Sequence, residues 1–139
     1  VGVGTIAQEL KDLMSVTEES LRLGIAAATD GCRIGDISWA IQSYVEGRGY
    51  SVVREYVGHG IGRALHEEPQ IPNFGSPGVG TLLKKGMVIA IEPMVNIGSW
   101  RTRVLEDNWT IVTLDGSMSA HFENTVLVTE GDAEVLTRL

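Results

Sequence analysis

Residues 87–95 read MVIAIEPMV, an apolar run interrupted by one carboxylate and one proline. The run reads as a single strand. Alternation places Glu92 on the face of Val88 and Ala90, with Met87, Ile89 and Ile91 opposite. Pro93 holds Glu92 extended and ends the pairing. A lone carboxylate at the tip of a buried strand is costly unless it is ion-paired, hydrogen-bonded or bound to a metal. A salt bridge to an Arg or Lys is the plain solution, and a metal ion is the more specific one.

Working outward, the same character continues to the C-terminus. RTRVLE (101–106), WTIVTL (109–114), AHFENTVLVT (120–129) and AEVLTRL (133–139) read as further strands. Turn signals at Asp107-Asn108, Asp115-Gly116 and Gly131-Asp132 separate them. On the other side lie a long glycine- and proline-rich loop over 58–80 and a strand, YSVVREY (50–56). Before residue 50 the period changes. Ile6, Leu10, Leu13, Met14, Thr17, Leu21, Ile25 and Ala28 share one helical face, which predicts a helix over 5–29 opened by a Thr5–Gln8 capping box. Asp36 is expected to cap a second helix, with Ile37, Ala40, Ile41, Tyr44 and Val45 as its buried stripe and Gly47 and Gly49 at its end. Two helices followed by a mostly antiparallel sheet predict an α+β fold.

The composition narrows the class. The 139 residues suffice for one domain with its own core, and 43% of them are hydrophobic, as in an ordinary globular chain. A net charge of −7 argues against a general nucleic-acid binder, which presents a basic face. No run of about 18 apolar residues is available to cross a membrane, and the N-terminus has neither the basic start nor the apolar core of a signal peptide. Cys32 is the single cysteine, so no intrachain disulfide forms, in keeping with a reducing, cytoplasmic setting. The chain opens on VGVGT without an initiator Met, so a processed or partial form is expected.

Four further positions could carry chemistry. His59 lies in GHGIG (58–62), where glycines admit close approach of backbone or ligand; a loop histidine beside a tight turn is the plain alternative. His66-Glu67-Glu68-Pro69 is not the zincin helix motif, because position 70 is Gln, and an exposed charged turn accounts for it equally. Glu123 repeats the theme of Glu92: alternation groups it with His121, Thr125 and Leu127, a face that an edge strand could equally give to solvent. His121-x-Glu123 is reminiscent of the zinc deaminase signature, but that needs a Pro-Cys-x-x-Cys which a chain with one cysteine lacks. Trp109, at a strand start, is a packing residue or a substrate wall. One histidine and two glutamates on three segments suit Mn²⁺, Fe²⁺, Co²⁺ or Zn²⁺, and carboxylates can bridge two ions about 3.5–4 Å apart. Spacing leaves their convergence open.

VGHGIGRALHEEPQIPN (57–73), KKGMVIAIEPMV (84–95), EDNWTIVT (106–113) and SAHFENTVLVT (119–129) occur in one order and spacing across essentially the whole chain. In this the chain resembles the bacterial-type, type I methionine aminopeptidases, metalloenzymes of the pita-bread fold that remove the initiator Met from nascent proteins. The resemblance implies a two-ion site with a bridging hydroxide, held in part by His59, Glu92 and Glu123, with Glu123 bridging both ions. It implies that Glu92 relays a proton, that His66 contacts the substrate near the scissile carbonyl, and that Trp109 stands at the methionine side-chain pocket. Leu65 stands where many members have Phe, Asn124 where many have His, and Asn108 where many have Gly. Nascent polypeptide N-termini are the implied partners, with no nucleic acid and no membrane.

The family's site also uses two aspartates from an upstream half of the fold. Asp12, Asp30, Asp36, Asp107, Asp115 and Asp132 do not match them in motif context. Residues 1–139 are therefore expected to be a single C-terminal half, with the upstream half absent, and to hold fewer or weaker ions alone. An isolated half-domain or a non-catalytic self-associating module is the alternative. A related enzyme of the aminopeptidase P, prolidase or creatinase kind is a further one, disfavoured by HGIGRALHEEPQIP (59–72).

Overall fold

A change of period near residue 50 divides the molecule into a helical layer and a strand layer, and a computed structural model describes residues 1–138 of it. Helix α1 spans Gln8–Ala26 and α2 spans Ile34–Glu46. α1 buries Leu13, Thr17, Ser20, Leu21 and Gly24. Its two buried hydroxyls are satisfied within the helix, Thr17 donating to the Leu13 carbonyl at 2.7 Å and Ser20 to the Thr17 carbonyl at 2.7 Å. A Cβ at Gly24 would meet the Ile41 side chain, so the glycine sets how closely α1 and α2 approach. α2 buries Ile37, Ile41 and Val45 as its periodicity predicts.

The helix boundaries differ from expectation. α1 starts after Ala7, and no side chain caps it. The Thr5–Gln8 box is not made; Gln8 instead donates to Asp12 one turn on, at 2.8 Å. The helix also ends before Thr29. In α2 the N-cap is Arg33, and Asp36 acts from the third helical position, accepting the Arg33 N–H at 2.7 Å. It also accepts the Gly78 N–H at 2.7 Å, and these two bonds hold its carboxyl below the usual aspartate range.

Ten strands follow: β1 Ser51–Val52, β2 Gly58–Ile61, β3 Glu67–Ile71, β4 Val88–Ile91, β5 Met94–Asn96, β6 Thr102–Val104, β7 Ile111–Thr113, β8 Ser119–His121, β9 Asn124–Leu127 and β10 Glu134–Val135. They form a five-stranded sheet in the order β10-β9-β4-β2-β3, a three-stranded sheet β1-β5-β8 and the hairpin β6-β7, with every pair antiparallel. The α+β class, two helices on antiparallel sheet, is as expected. The segment 58–80 is not one loop, since β2 and β3 lie within it. Their glycine and proline content hides them, and a register shift between His59 and Gly60 breaks the regular alternation. YSVVREY contributes only Ser51–Val52. AEVLTRL contributes only Glu134–Val135, and its last residue, Leu139, lies outside the described residues.

The stretch 87–95 is two strands, not one. Pro93 cannot donate to a ladder, and there the chain passes from β4 in the large sheet to β5 in the small one. The stretch 120–129 is divided in the same way between β8 and β9. The two breaks coincide, because β4 pairs β9 and β5 pairs β8. Behind this bend lies the core, where Ile89, Ile91, Val95, Val126 and Val128 pack with Leu13, Ile37 and Ile41 from the helices.

Candidate metal centre

The bend places two carboxylates opposite one another. Ile91 pairs with Asn124 below the break and Met94 with His121 above it, so the register is continuous across the gap. Glu92 therefore faces Glu123, and Pro93 faces Phe122, whose N–H donates to the Pro93 carbonyl at 3.3 Å. Like charges directly opposite on paired strands repel. A cation between them removes that cost.

The third side chain comes from the neighbouring strand. His59 in β2 pairs with Ala90 in β4, on the face that Ala90 shares with Glu92. The bulge after His59 sits at the point where the ring is aimed. A Cβ at Gly58 would collide with the Ala90 carbonyl, and one at Gly60 with the Glu68 carbonyl, so the strands close around His59 only because both flanking residues are glycine.

His59 Nδ1 stands 3.0 Å from the Gly60 carbonyl. A carbonyl only accepts, so Nδ1 carries the hydrogen and, in the neutral ring, Nε2 is a bare lone pair. That Nε2 stands 3.5 Å from Glu92 Oε1, and both side chains are largely buried, 13% and 15% exposed. Two electron-pair donors turned toward each other in a partly desolvated site call for a shared cation. One donor atom each from His59, Glu92 and Glu123 lie within 4.8 Å of one another, the only such group of three among the described residues. One imidazole and two carboxylates fit a divalent transition-metal ion.

His66 lies beside this group, with its ring centroid 4.2 Å from that of His59 and the planes inclined at 51°. Leu65 and Trp109 are 69% and 85% exposed on loop positions and are not among the grouped donor residues. His121, which the alternation grouped with Glu123, proves to contact the site: its Nε2 is 3.3 Å from Glu92 Oε2. All three histidines of the chain thus gather at the bend. His121 also lines an apolar cleft of about 600 Å³ whose floor and wall include Met94, Leu105, Ile111 and Met118. Neither Leu65 nor Trp109 is among the residues lining it. The cleft was not foreseen, because hairpin β6-β7 closes over sheet β1-β5-β8 only in three dimensions.

The aspartates serve elsewhere. Asp30 accepts the Lys85 N–H at 2.8 Å. Asp107 accepts from Thr110, through its hydroxyl and its N–H, and from the Trp109 N–H, which together hold its carboxyl below the ordinary range. Asp115 accepts the Ser117 hydroxyl at 2.7 Å and the Ser99 N–H at 2.6 Å, and is drawn down to about 2.

An antiparallel sheet that presents one imidazole and two carboxylates at its bend has the donor set of a divalent-metal site. The profile of metallopeptidase family M24 matches residues 1–130, and the chain belongs to that family. It is 56% identical over 136 residues to the methionine aminopeptidase of Clostridium perfringens, a match covering 98% of this chain and 55% of the relative. The crystal structure of methionine aminopeptidase from Thermotoga maritima matches with a TM-score of 0.96 at 55% identity, over 99% of this chain and 55% of that one. Prolidase from Pyrococcus furiosus matches less closely, with a TM-score of 0.75 at 25% identity, over 100% of this chain and 35% of that one. The chain spans about half the length of the curated relatives it matches. Among the described residues no helix is long and apolar enough to cross a membrane.

Proposed function

We propose that residues 1–139 supply one wall of the active site of a methionine aminopeptidase, acting on the N-termini of nascent polypeptides in the cytoplasm. The observation that carries this reading is the convergence of His59, Glu92 and Glu123 at one bend between two sheets. Divalent ions of the Mn, Fe, Co or Zn kind, two in the complete site, supply a Lewis acid and a water of lowered pKa.

The chain's own groups then have separate tasks. His59 would hold an ion through Nε2, since Gly60 anchors the other ring nitrogen. Glu123 faces Glu92 across the strand pair and would help hold the ions with it. Glu92, lying between two imidazoles, is placed to take up and return a proton. His66, on the outer side of His59, is placed to stabilise negative charge developing on the scissile carbonyl oxygen. The cleft between Met94, Ile111 and Met118 is an apolar slot of the kind that accepts a long unbranched side chain. Leu65 and Trp109 belong to the substrate side as exposed rim contacts rather than cleft lining.

The test is release of free methionine from Met-Gly-Met with Mn²⁺ or Co²⁺, using the full reading frame that contains these residues. His59→Ala and Glu92→Gln should abolish release. Undiminished release by either variant would overturn the reading, and a strict requirement for proline in the second position would favour the prolidase-like alternative.

A further inference from the structure

We propose that His121 is a positioning residue for Glu92. It holds Oε2, so that Oε1 is the oxygen left to face the ion. The inference rests on the metal-centre reading above and adds a residue to it.

The Glu92 carboxylate lies between two imidazoles, one for each oxygen. His59 Nε2 is 3.5 Å from Oε1, and His121 Nε2 is 3.3 Å from Oε2. The two histidines are not equivalent. His59 belongs to the group of mutually close donor atoms, and His121 does not. His59 has its Nδ1–H committed to a carbonyl, leaving Nε2 as a donor of electrons. His121 brings Nε2 within 3.3 Å of a carboxylate oxygen, which only accepts, so the contact is attractive when that nitrogen carries the ring hydrogen. On this proposal the two rings adopt opposite tautomers across one carboxylate.

The backbone makes this hold firm. His121 pairs with Met94, two positions beyond Glu92, inside a hydrogen-bonded sheet. Glu92 is fixed at its other end as well, where the wholly buried Asn73 donates to its carbonyl at 3.2 Å. A free carboxylate can bind an ion through one oxygen or both. With Oε2 engaged by His121, single-oxygen binding through Oε1 is preferred, and the rotation that would bring both oxygens to the ion is opposed. Partners of this outer kind commonly change metal affinity by roughly 10–100-fold.

Three measurements test this. In the metal-free chain, long-range ¹H–¹⁵N correlation of the imidazoles should show His59 protonated on Nδ1 and His121 on Nε2; a His121 ring protonated on Nδ1 overturns the proposal without any substitution. Calorimetric titration with Co²⁺ should show His121→Leu binding roughly ten-fold or more weakly, while His121→Gln, which keeps an N–H donor, stays near the unsubstituted chain. Equal affinity in the Leu variant overturns the positioning role and leaves the metal-centre reading standing. These titrations use the full reading frame that contains these residues, and its failure to bind Co²⁺ overturns both. Finally, in the Co²⁺-loaded protein His121 should keep its hydrogen on Nε2; loss of that hydrogen on loading would make His121 a ligand and overturn its assignment as a positioning residue.

Discussion

The bend at Glu92 and Glu123 and the hairpin β6-β7 both present residues that the motifs single out, yet they are built differently. At the bend His59 extends from a strand paired on both sides, Glu92 and Glu123 stand at the breaks between paired strands, and Ile89, Ile91 and Val126 lie wholly buried behind them. The hairpin has only two strands of three residues each, and Trp109 stands at its turn 85% exposed. Its turn is held by one aspartate, Asp107, through bonds at the surface. On the function proposed above, the groups that would hold an ion are carried on a packed sheet, and the group that would meet substrate is carried on a ribbon with little behind it.

Four changes would break or sharpen this contrast. The largest effect is expected of Ile91→Ala, which empties a fully buried site directly behind Glu92. It should cost about 2–5 kcal/mol in denaturant unfolding and should weaken Co²⁺ binding as well; a loss of stability without loss of affinity would separate the core from the site. Gly58→Ala drives a Cβ into the Ala90 carbonyl. Here about 1–3 kcal/mol of destabilisation is expected, with a displaced His59 visible as weaker ion binding.

Asp115→Asn should act on stability alone, and with a particular pH dependence. The Asp115 carboxyl is drawn from 3.8 to about 2 by its hydrogen bonds to Ser117 and Ser99, so the folded state favours the ionised form. The stabilisation is fully present above the unfolded value and is lost as pH falls through the folded one. The difference in Tm between the unsubstituted chain and the variant should therefore be constant above about pH 4 and shrink toward pH 2; a difference that grows on acidification would contradict the assignment. The smallest effect is expected of Trp109→Ala, within about 0.5 kcal/mol in stability and without change in Co²⁺ affinity. A clear loss of ion binding there would remove the distinction between bend and hairpin.

Periodicity made the helical layer legible, because Leu13, Leu21, Ile37, Ile41 and Val45 recur at helical spacing and all are buried. Its ends were less so, since Ala7 and Arg33 serve as N-caps where hydroxyl or carboxylate residues nearby were the expected choice. Strands β2 and β3 were hidden by glycine and proline, the residues that normally mark loops. The apolar pattern of 87–95 and of 120–129 gave strands, but nothing local shows that each is shared between two sheets.

What the sequence determined by itself is the α+β order, the family resemblance and the identity of His59, Glu92, Glu123 and His66 as chemically unusual positions. Those follow from local pattern and residue type, which do not depend on what packs where. Only the tertiary structure decided that Glu92 and Glu123 stand opposite each other, that His59 presents Nε2 to Glu92, and that His121 stands 3.3 Å from the other Glu92 oxygen. The physical reason is that register between distant strands is set by the shared core behind them. A slip of one residue would turn every one of these side chains to the opposite face.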